Sequence, residues 1–497
     1  MLKPIKKRKG MKISEAVKLM NAEVIDQSVL EAEFKRVSID SRKTQLNDLF
    51  FAFSQPDYRN NCFNGDFRDA TVYVPMAFEN GAVAAVVRPD KFEEHKTLLE
   101  PIAKRLLLVN DAIYALQLLA KGVYEEWNRP VVGITGSAGK TTAKEITAHL
   151  LRSAGKKVLS NEKNYNNNIG HPLTVLKLLE NQDFDIAVLE MAMSTPYNEI
   201  ARLCRITPPD VAVVLNVLPV HIEHLGSIEN IAKAKAEIVE GMKQGGVAIL
   251  NADDFRVLAM KSLSKGETIT YGIENKANEL EPTVEAEEIC LGGFGKTTFM
   301  LKLPNGKAKV HFPLDGKHNI MNALAASAVG YVFGMSAEEI AQALSKVAAP
   351  QQRGEILRFE KGFIVVNDSY NSNPDALLSM VKTIVENGGS AKRKIVIAGE
   401  MMELGEEAEK FHYEAGKKIA ESGVDFVVGV GNLTRRLIEG AKDGGLKETQ
   451  FFENSEQAAD YILDEVREGD LILVKGSRSV RMEKIVEKLR SHFAVSG

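Results

Sequence analysis

The stretch Val131-Val132-Gly133-Ile134-Thr135-Gly136-Ser137-Ala138-Gly139-Lys140-Thr141-Thr142 joins an apolar run to three glycines and a Lys-Thr-Thr ending. That order suits a phosphate-binding loop. A buried strand leads into backbone N–H groups bare enough to face phosphate oxygens, and then into a helix whose N-terminus favours anions. Lys140 adds a point charge and Thr141 a hydroxyl for magnesium. A strict Walker loop has a glycine at the position held here by Ile134, so this loop is a variant with glycines at 133, 136 and 139.

Carboxylates, amides and cations gather where other apolar runs end. Glu190 follows the run 184–189, at a strand end where phosphate and metal would meet. Magnesium takes few carboxylates plus water and phosphate oxygens, so Thr141 and Glu190 would suffice as protein ligands. His221 and His224 follow the run 211–215; a lone histidine there is usually a packed polar residue, and two with Glu223 between them raise the metal or phosphate reading only modestly. Asn161, Asn164 and Asn166-Asn167-Asn168 supply more amides than a turn needs and read as a substrate-contacting loop. Lys233 and Lys235 lie on a helical stretch, 228–242, and helix lysines are solvated by default.

Ser38-Ile39-Asp40-Ser41-Arg42 suits a diphosphate or a uracil edge, and equally a capped turn with a solvated arginine. Late in the chain, Asn367-Asp368-Ser369-Tyr370-Asn371-Ser372-Asn373-Pro374, residues 400–405 and Lys475-Gly476-Ser477-Arg478 each follow an apolar strand pattern. Together they make a binding face.

The elements that must hold these groups follow from periodicity. Short helical and strand patterns alternate over 11–110, then a connecting helix at 111–127 leads into the loop strand. Strand and helix alternate again over the middle of the chain, which argues for a parallel sheet covered on both faces. Between 268 and 313 the period changes to hairpins, with Pro304-Asn305-Gly306 as a turn signal. A second doubly wound alternation runs from 350 to the end. The expectation is an α/β chain of three domains: a small N-terminal α/β domain at 11–110, a central P-loop ATPase-type parallel sheet at 111–349, and a C-terminal Rossmann-like doubly wound domain at 350–497.

Composition narrows the partners. A formal net charge of -4, spread along 497 residues, makes no field that would recruit nucleic acid or an anionic membrane. Cys62, Cys204 and Cys290 lie too far apart for a metal pair or a disulfide framework, which fits a reducing cytoplasm. No apolar run approaches a membrane span, and the basic start 3–9, with no signal-peptide core after it, is expected to be a solvated tail.

On these motifs the chain resembles the Mur ligases, ATP-dependent amide-forming enzymes of peptidoglycan precursor synthesis. The phosphate loop matches the whole superfamily, folylpolyglutamate synthetase included. The stretch 368–374, Gly399-Glu400-Met401-Met402-Glu403-Leu404-Gly405 and Val474-Lys475-Gly476-Ser477-Arg478 point to the branch that joins D-alanyl-D-alanine to a UDP-N-acetylmuramoyl-tripeptide. Residues 55–62 and Ala192-Met193-Ser194 depart from the family pattern.

The resemblance implies roles. Gly136, Ser137, Ala138, Gly139, Lys140, Thr141 and Thr142 would hold the ATP phosphates, with Thr141, Glu190 and His221 on two magnesium ions. Lys235 would be carbamylated and serve as a further metal ligand, against its solvated default. Asn251, His318 and Asn319 would lie on the adenine side, and Arg353 and Asp368 would reach the nucleotide from the last domain. Lys140, Lys235, His221 and Arg353 would be catalytic. Asp40, Ser41, Arg42, Asn166, Asn167, Asn371, Asn373 and Lys475 would contact substrates, the first three in an N-terminal UDP-binding domain. The implied protein is a cytoplasmic monomer that neither binds nucleic acid nor inserts into a membrane. A ligase of the same chemistry with another acceptor, by third-residue or folate-glutamate addition, and a nucleotide switch that makes no bond are the competing readings.

Overall fold

A computed structural model describes residues 10–162, 164–193, 198–219, 225–273 and 281–496. The basic start 3–9 and the group His221, Glu223 and His224 lie outside the described residues, as does Ser194. The chain is α/β and forms two compact units: residues 1–133, 156–212 and 237–246, and residues 134–155, 213–236 and 247–497.

In the first unit a five-stranded sheet runs in the order Glu23–Val24, Leu106–Leu108, Ala84–Val87, Asp48–Phe51, Arg36–Ser38, all parallel except at the first pair. Its inner strands are continuous apolar runs because helices cover them, and Phe50, Val74, Phe78, Leu99 and Leu106 form the core there. The connecting helix is Ala112–Trp127, capped by Asp111, whose carboxylate accepts the Tyr114 N–H. Asp57 ties this helix to the sheet: it is fully buried, closes a capping box with Ser54, and accepts the Ala112 N–H at 2.8 Å. Residues 55–60, where the family pattern is broken, are therefore a short helix with a structural acid at its first turn. Further on, Ile186–Glu190 pairs in parallel with Val158–Ser160, which leaves Glu190 at the carboxyl end of its strand, as its position after an apolar run predicts.

In the second unit, Ile134 and Thr135 lead from the loop strand into helix Lys140–Ser153, the bounds that periodicity alone predicts. Strands Val247–Asn251, Glu267–Gly272 and Val284–Leu291 run parallel in a second, nine-stranded sheet, and Thr297–Leu303 and Gly306–Phe312 close it antiparallel around the predicted Pro304-Asn305-Gly306 turn. The hairpin region thus begins later than its sequence period suggests: Glu267–Gly272 is a parallel strand, not a hairpin arm. Its alternating burial misleads, because Ile269 and Tyr271 face the core while Thr268 and Thr270 are half-buried.

The last part of this unit is a six-stranded sheet in the order Glu355–Arg358, Ile364–Asp368, Asp470–Lys475, Arg393–Gly399, Phe426–Val430, Glu448–Phe452, antiparallel only at the first pair. Apolar cores on its two faces, one around Phe363, Ile472 and Ile485 and the other around Val366, Leu377 and Val427, match a doubly wound build. No helix among the described residues is long and apolar enough to cross a membrane.

Candidate active site

The phosphate loop is held from behind by its neighbours in the fold. Gly139 has φ +82°, in the left-handed region, and helix Lys140–Ser153 starts after it with no side-chain cap. Asn216, just past the apolar strand Val211–Val214, clamps the loop at several points. Its carbonyl oxygen accepts the Ser137 N–H at 3.1 Å, its Oδ1 accepts the Ala138 N–H at 2.9 Å, and its Nδ2 donates to the Ala138 carbonyl at 3.2 Å. Ser137 Oγ accepts the Leu218 N–H at 2.9 Å and donates to the Leu218 carbonyl. Lys140 Nζ folds back onto the carbonyls of Gly136, at 2.9 Å, and Ser137, at 3.3 Å. Those carbonyls hold the ammonium against the loop's inner rim, beside the place a phosphate would take.

The clamp is itself buttressed. Asn251 Nδ2 donates to the Leu215 carbonyl at 2.8 Å, and the buried Tyr271 hydroxyl donates to the carbonyls of Val214 and Leu215. Asn251 Oδ1 accepts the Asp253 N–H, so both ends of this amide are bonded within the fold. Asn216 was not singled out by sequence reasoning. Its one signal is a lone polar residue directly after a fully apolar strand. Asn216→Ala removes the side-chain half of the clamp, and at about 1 kcal/mol for each of two bonds the KM for ATP should rise about 10-fold to 30-fold with helix content unchanged by circular dichroism.

Lys235, on helix Ile228–Glu240, is only 2 % exposed. The solvated reading of this lysine is therefore corrected: it points into the fold. Burial, and then the Lys140 ammonium, hold its amine well below the ordinary lysine range.

At the edge of the six-stranded sheet, the register sets Asp368 opposite Lys475. Lys475 Nζ donates to Asp368 Oδ2 at 2.6 Å and to the Asn371 carbonyl at 2.8 Å. Asn373 caps helix Pro374–Asn387 through the Ala376 N–H, and Asn371 Oδ1 accepts the Ser372 N–H. The Arg353 guanidinium lies 4.1 Å from the centre of the Tyr370 ring. Gly399 and Gly476 let two strand ends touch, since a Cβ on Gly476 would stand 2.8 Å from the Gly399 Cα.

Loop 400–402 is pinned by Ser477, whose N–H donates to the Glu400 carbonyl and whose Oγ accepts the Met402 N–H. The buried His412 accepts the Met401 N–H on Nε2 at 3.0 Å. His318 Nδ1 lies 3.3 Å from Ser379 Oγ. Burial holds the His318 imidazole below its usual range, opposed by Asp368 and aided by the Lys475 charge. Asn319 Nδ2 donates to the Asp315 carbonyl at 2.7 Å. The second unit therefore brings Lys140, Thr141, Lys235, Asn251, His318, Asn319, Arg353, Asp368 and Lys475 into one compact body.

The first unit carries the remaining groups. Glu190 is 3 % exposed, and its Oε1 accepts the Asn166 Nδ2–H at 2.7 Å. Asn161 fixes the Glu190 backbone by accepting its N–H and donating to its carbonyl. Asn167 Oδ1 accepts the N–H groups of Ile169 and Gly170, so part of the amide-rich loop builds the turn into helix Gly170–Leu176.

A cleft of about 680 Å³ opens beside the Asp40-Ser41-Arg42 turn. Asp40 pairs with Arg42, whose guanidinium is mostly exposed, and caps the short turn 41–43. Arg36, Arg68 and Lys177 converge on the same cleft from other stretches, and Tyr73 and Met76 give it an apolar floor. Cations plus a flat apolar surface suit a nucleoside diphosphate.

The nucleotide loop, the doubly wound block that follows it and the cation-lined cleft define an ATP-using ligase of several domains. The Mur ligase middle-domain model matches residues 134–330 and the model described as Mur ligase, glutamate ligase domain, matches residues 352–478; the chain belongs to the Mur ligase family. Along nearly its whole length it is similar to the UDP-N-acetylmuramoyl-tripeptide–D-alanyl-D-alanine ligases of Bacillus subtilis (strain 168), 34% identical over 97% of this chain and 98% of that one, and of Escherichia coli (strain K12), 31% identical over 97% and 98%. Among solved structures, MurF from Acinetobacter baumannii superposes with TM-score 0.82 at 26% identity, covering 97% of this chain and 99% of that one. MurF from Thermotoga maritima in complex with ADP does so with TM-score 0.76 at 26% identity, covering 92% and 97%. A Mycobacterium tuberculosis folylpolyglutamate synthase, at 16% identity, shares the fold alone.

Proposed function

We propose that the chain joins D-alanyl-D-alanine to the terminal carboxylate of a UDP-N-acetylmuramoyl-tripeptide at the expense of ATP. The observation that carries this reading is the pair of nucleotide-suited sites, a cation-lined cleft and a separately built phosphate loop. A switch protein needs only the second. A carboxylate is a poor electrophile, so the γ-phosphoryl group must first move to it. A P–O bond to the carboxylate forms, the bond to the β-phosphate breaks, and ADP leaves. The dipeptide amine then attacks the acyl carbon, the C–N bond forms, phosphate departs, and the amine loses a proton.

Lys140 and Arg353 neutralise charge on the moving phosphoryl group. His318 and Asn319 serve the adenine side, Asn251 acts through the strand end it holds, and Asp368 serves the ribose, while Lys475 keeps Asp368 oriented. Asp40, Ser41 and Arg42 take the UDP moiety, with Asn166 and Asn167 toward the reacting carboxylate and Asn371 and Asn373 toward the acceptor.

Magnesium would be held by hard oxygen donors, Thr141 and Glu190, together with His221, and the nearly buried Glu190 carboxylate fits it; when bound it offsets phosphate charge. The buried Lys235 amine, its ammonium form disfavoured, fits a carbamate. The three domains are 11–110, 111–349 and 350–497, and the protein works in the cytoplasm as a monomer.

Mass spectrometry of a reaction holding UDP-tripeptide, D-alanyl-D-alanine and Mg-ATP should detect a product heavier by the dipeptide less water. ATP consumed with no such product would refute the ligase. Donors ending in lysine and in diaminopimelate, run side by side, would give the preferred tripeptide.

A further inference from the structure

An acceptor dipeptide brings two charged ends, and the ligase chemistry uses only its amine. The other end, a carboxylate, needs a cation at the edge of the six-stranded sheet where the polar clusters gather. Lys475 is ill suited, being 4 % exposed and already bonded to Asp368 and the Asn371 carbonyl. Arg353 lies flat on Tyr370 and is committed to the nucleotide by the reading above.

Arg478 differs. Its side chain is 60 % exposed, and Nη1 donates to Gln352 Oε1 and to Glu483 Oε1, each at 3.1 Å. Those two bonds use both Nη1 hydrogens and fix the plane of the guanidinium. Its centre lies 5.7 Å from the Tyr370 ring, whose backbone N–H in turn donates to the Gln352 carbonyl at 3.2 Å. The Nε–Nη2 edge has no partner among the described residues. That edge is the fork that takes a carboxylate through two parallel bonds.

We propose that the Nε–Nη2 edge of Arg478, held by Gln352, Glu483 and Tyr370, binds the free carboxylate of the acceptor, so that Arg478 sets the preference for an acceptor ending in an acid. The assignment rests on the ligase reading. The test measures kcat and KM with D-alanyl-D-alanine and with its C-terminal amide, on the full chain and on R478Q and R478K. A fork-held carboxylate should give the parent enzyme about 30-fold preference for the acid, carried by KM. R478Q should lose that preference by weakening the acid alone, with kcat little changed, and R478K, which keeps the charge and loses the fork, should fall between. A parent enzyme that does not discriminate, or an R478Q that weakens acid and amide equally, overturns the assignment and leaves the ligase standing. A parent enzyme that joins neither acceptor overturns the ligase reading and this one with it.

Discussion

Lys235→Ala lowers kcat by about 100-fold to 1,000-fold, the size seen when one preorganised charge is removed from a reacting phosphoryl or acyl centre, and added formate restores part of the loss. The argument starts from burial. A lysine 2 % exposed cannot keep its ammonium cheaply, and the charge of Lys140, another cation, disfavours it further. Burial thus disfavours the ammonium, and on the proposed reading the unprotonated amine would add carbon dioxide: the N–C bond would form, one proton would leave, and a carbamate anion would replace a second positive charge. Repulsion from Lys140 would then become attraction, and the carbamate would offer oxygen donors to magnesium. Acid reverses the reaction, because protonating the amine expels carbon dioxide. Activity should thus fall on brief acid treatment in carbon dioxide-free buffer and return with bicarbonate at neutral pH. Full activity in Lys235→Ala would sink the carbamate.

The sequence alone pointed the other way at this residue, and the reason is physical. Most helix lysines are solvated, and that default outweighed the spacing, although Lys235 lies four residues after Ile231 and three before Ile238, on the apolar face. Whether that face buries a lysine depends on elements far away in the chain. Asn216 was illegible for the same reason, since it meets Ala138 across 78 residues. The cleft's cations also come from separate stretches, so the Asp40-Ser41-Arg42 turn alone could not be told from a capped turn. Local features fared better. Helix Lys140–Ser153, the strand ending in Glu190 and the Pro304-Asn305-Gly306 turn depend on neighbours in sequence, and the structure has all three. The strand Glu267–Gly272 failed because half-buried threonines imitate the alternation of a solvated hairpin.

Gly139→Ala should abolish ATP-dependent turnover while leaving the fold intact, a loss of about 1,000-fold in kcat/KM if the loop can no longer shape itself to phosphate. Two independent costs meet at this position. The backbone has φ +82°, where an L side chain costs roughly 1–2 kcal/mol. A Cβ there would also stand 2.5 Å from Asn322 Oδ1, on helix Lys317–Val332, which packs against the helix that the loop opens. The two costs separate by experiment. Pairing Gly139→Ala with Asn322→Ala removes the collision and keeps the backbone strain, so the double variant should recover about 10-fold of the loss and no more, as neighbours in contact are non-additive. Lys140→Ala makes the contrast: it deletes the charge without moving the loop, so ADP should still bind although turnover is lost. If Gly139→Ala bound ADP as tightly as the parent, the loop's shape would not be what the glycine protects. In that case the variant Walker spacing, with Ile134 in place of a glycine, would have to be explained by strand packing alone, since it is Gly139 that the loop-to-helix junction turns on.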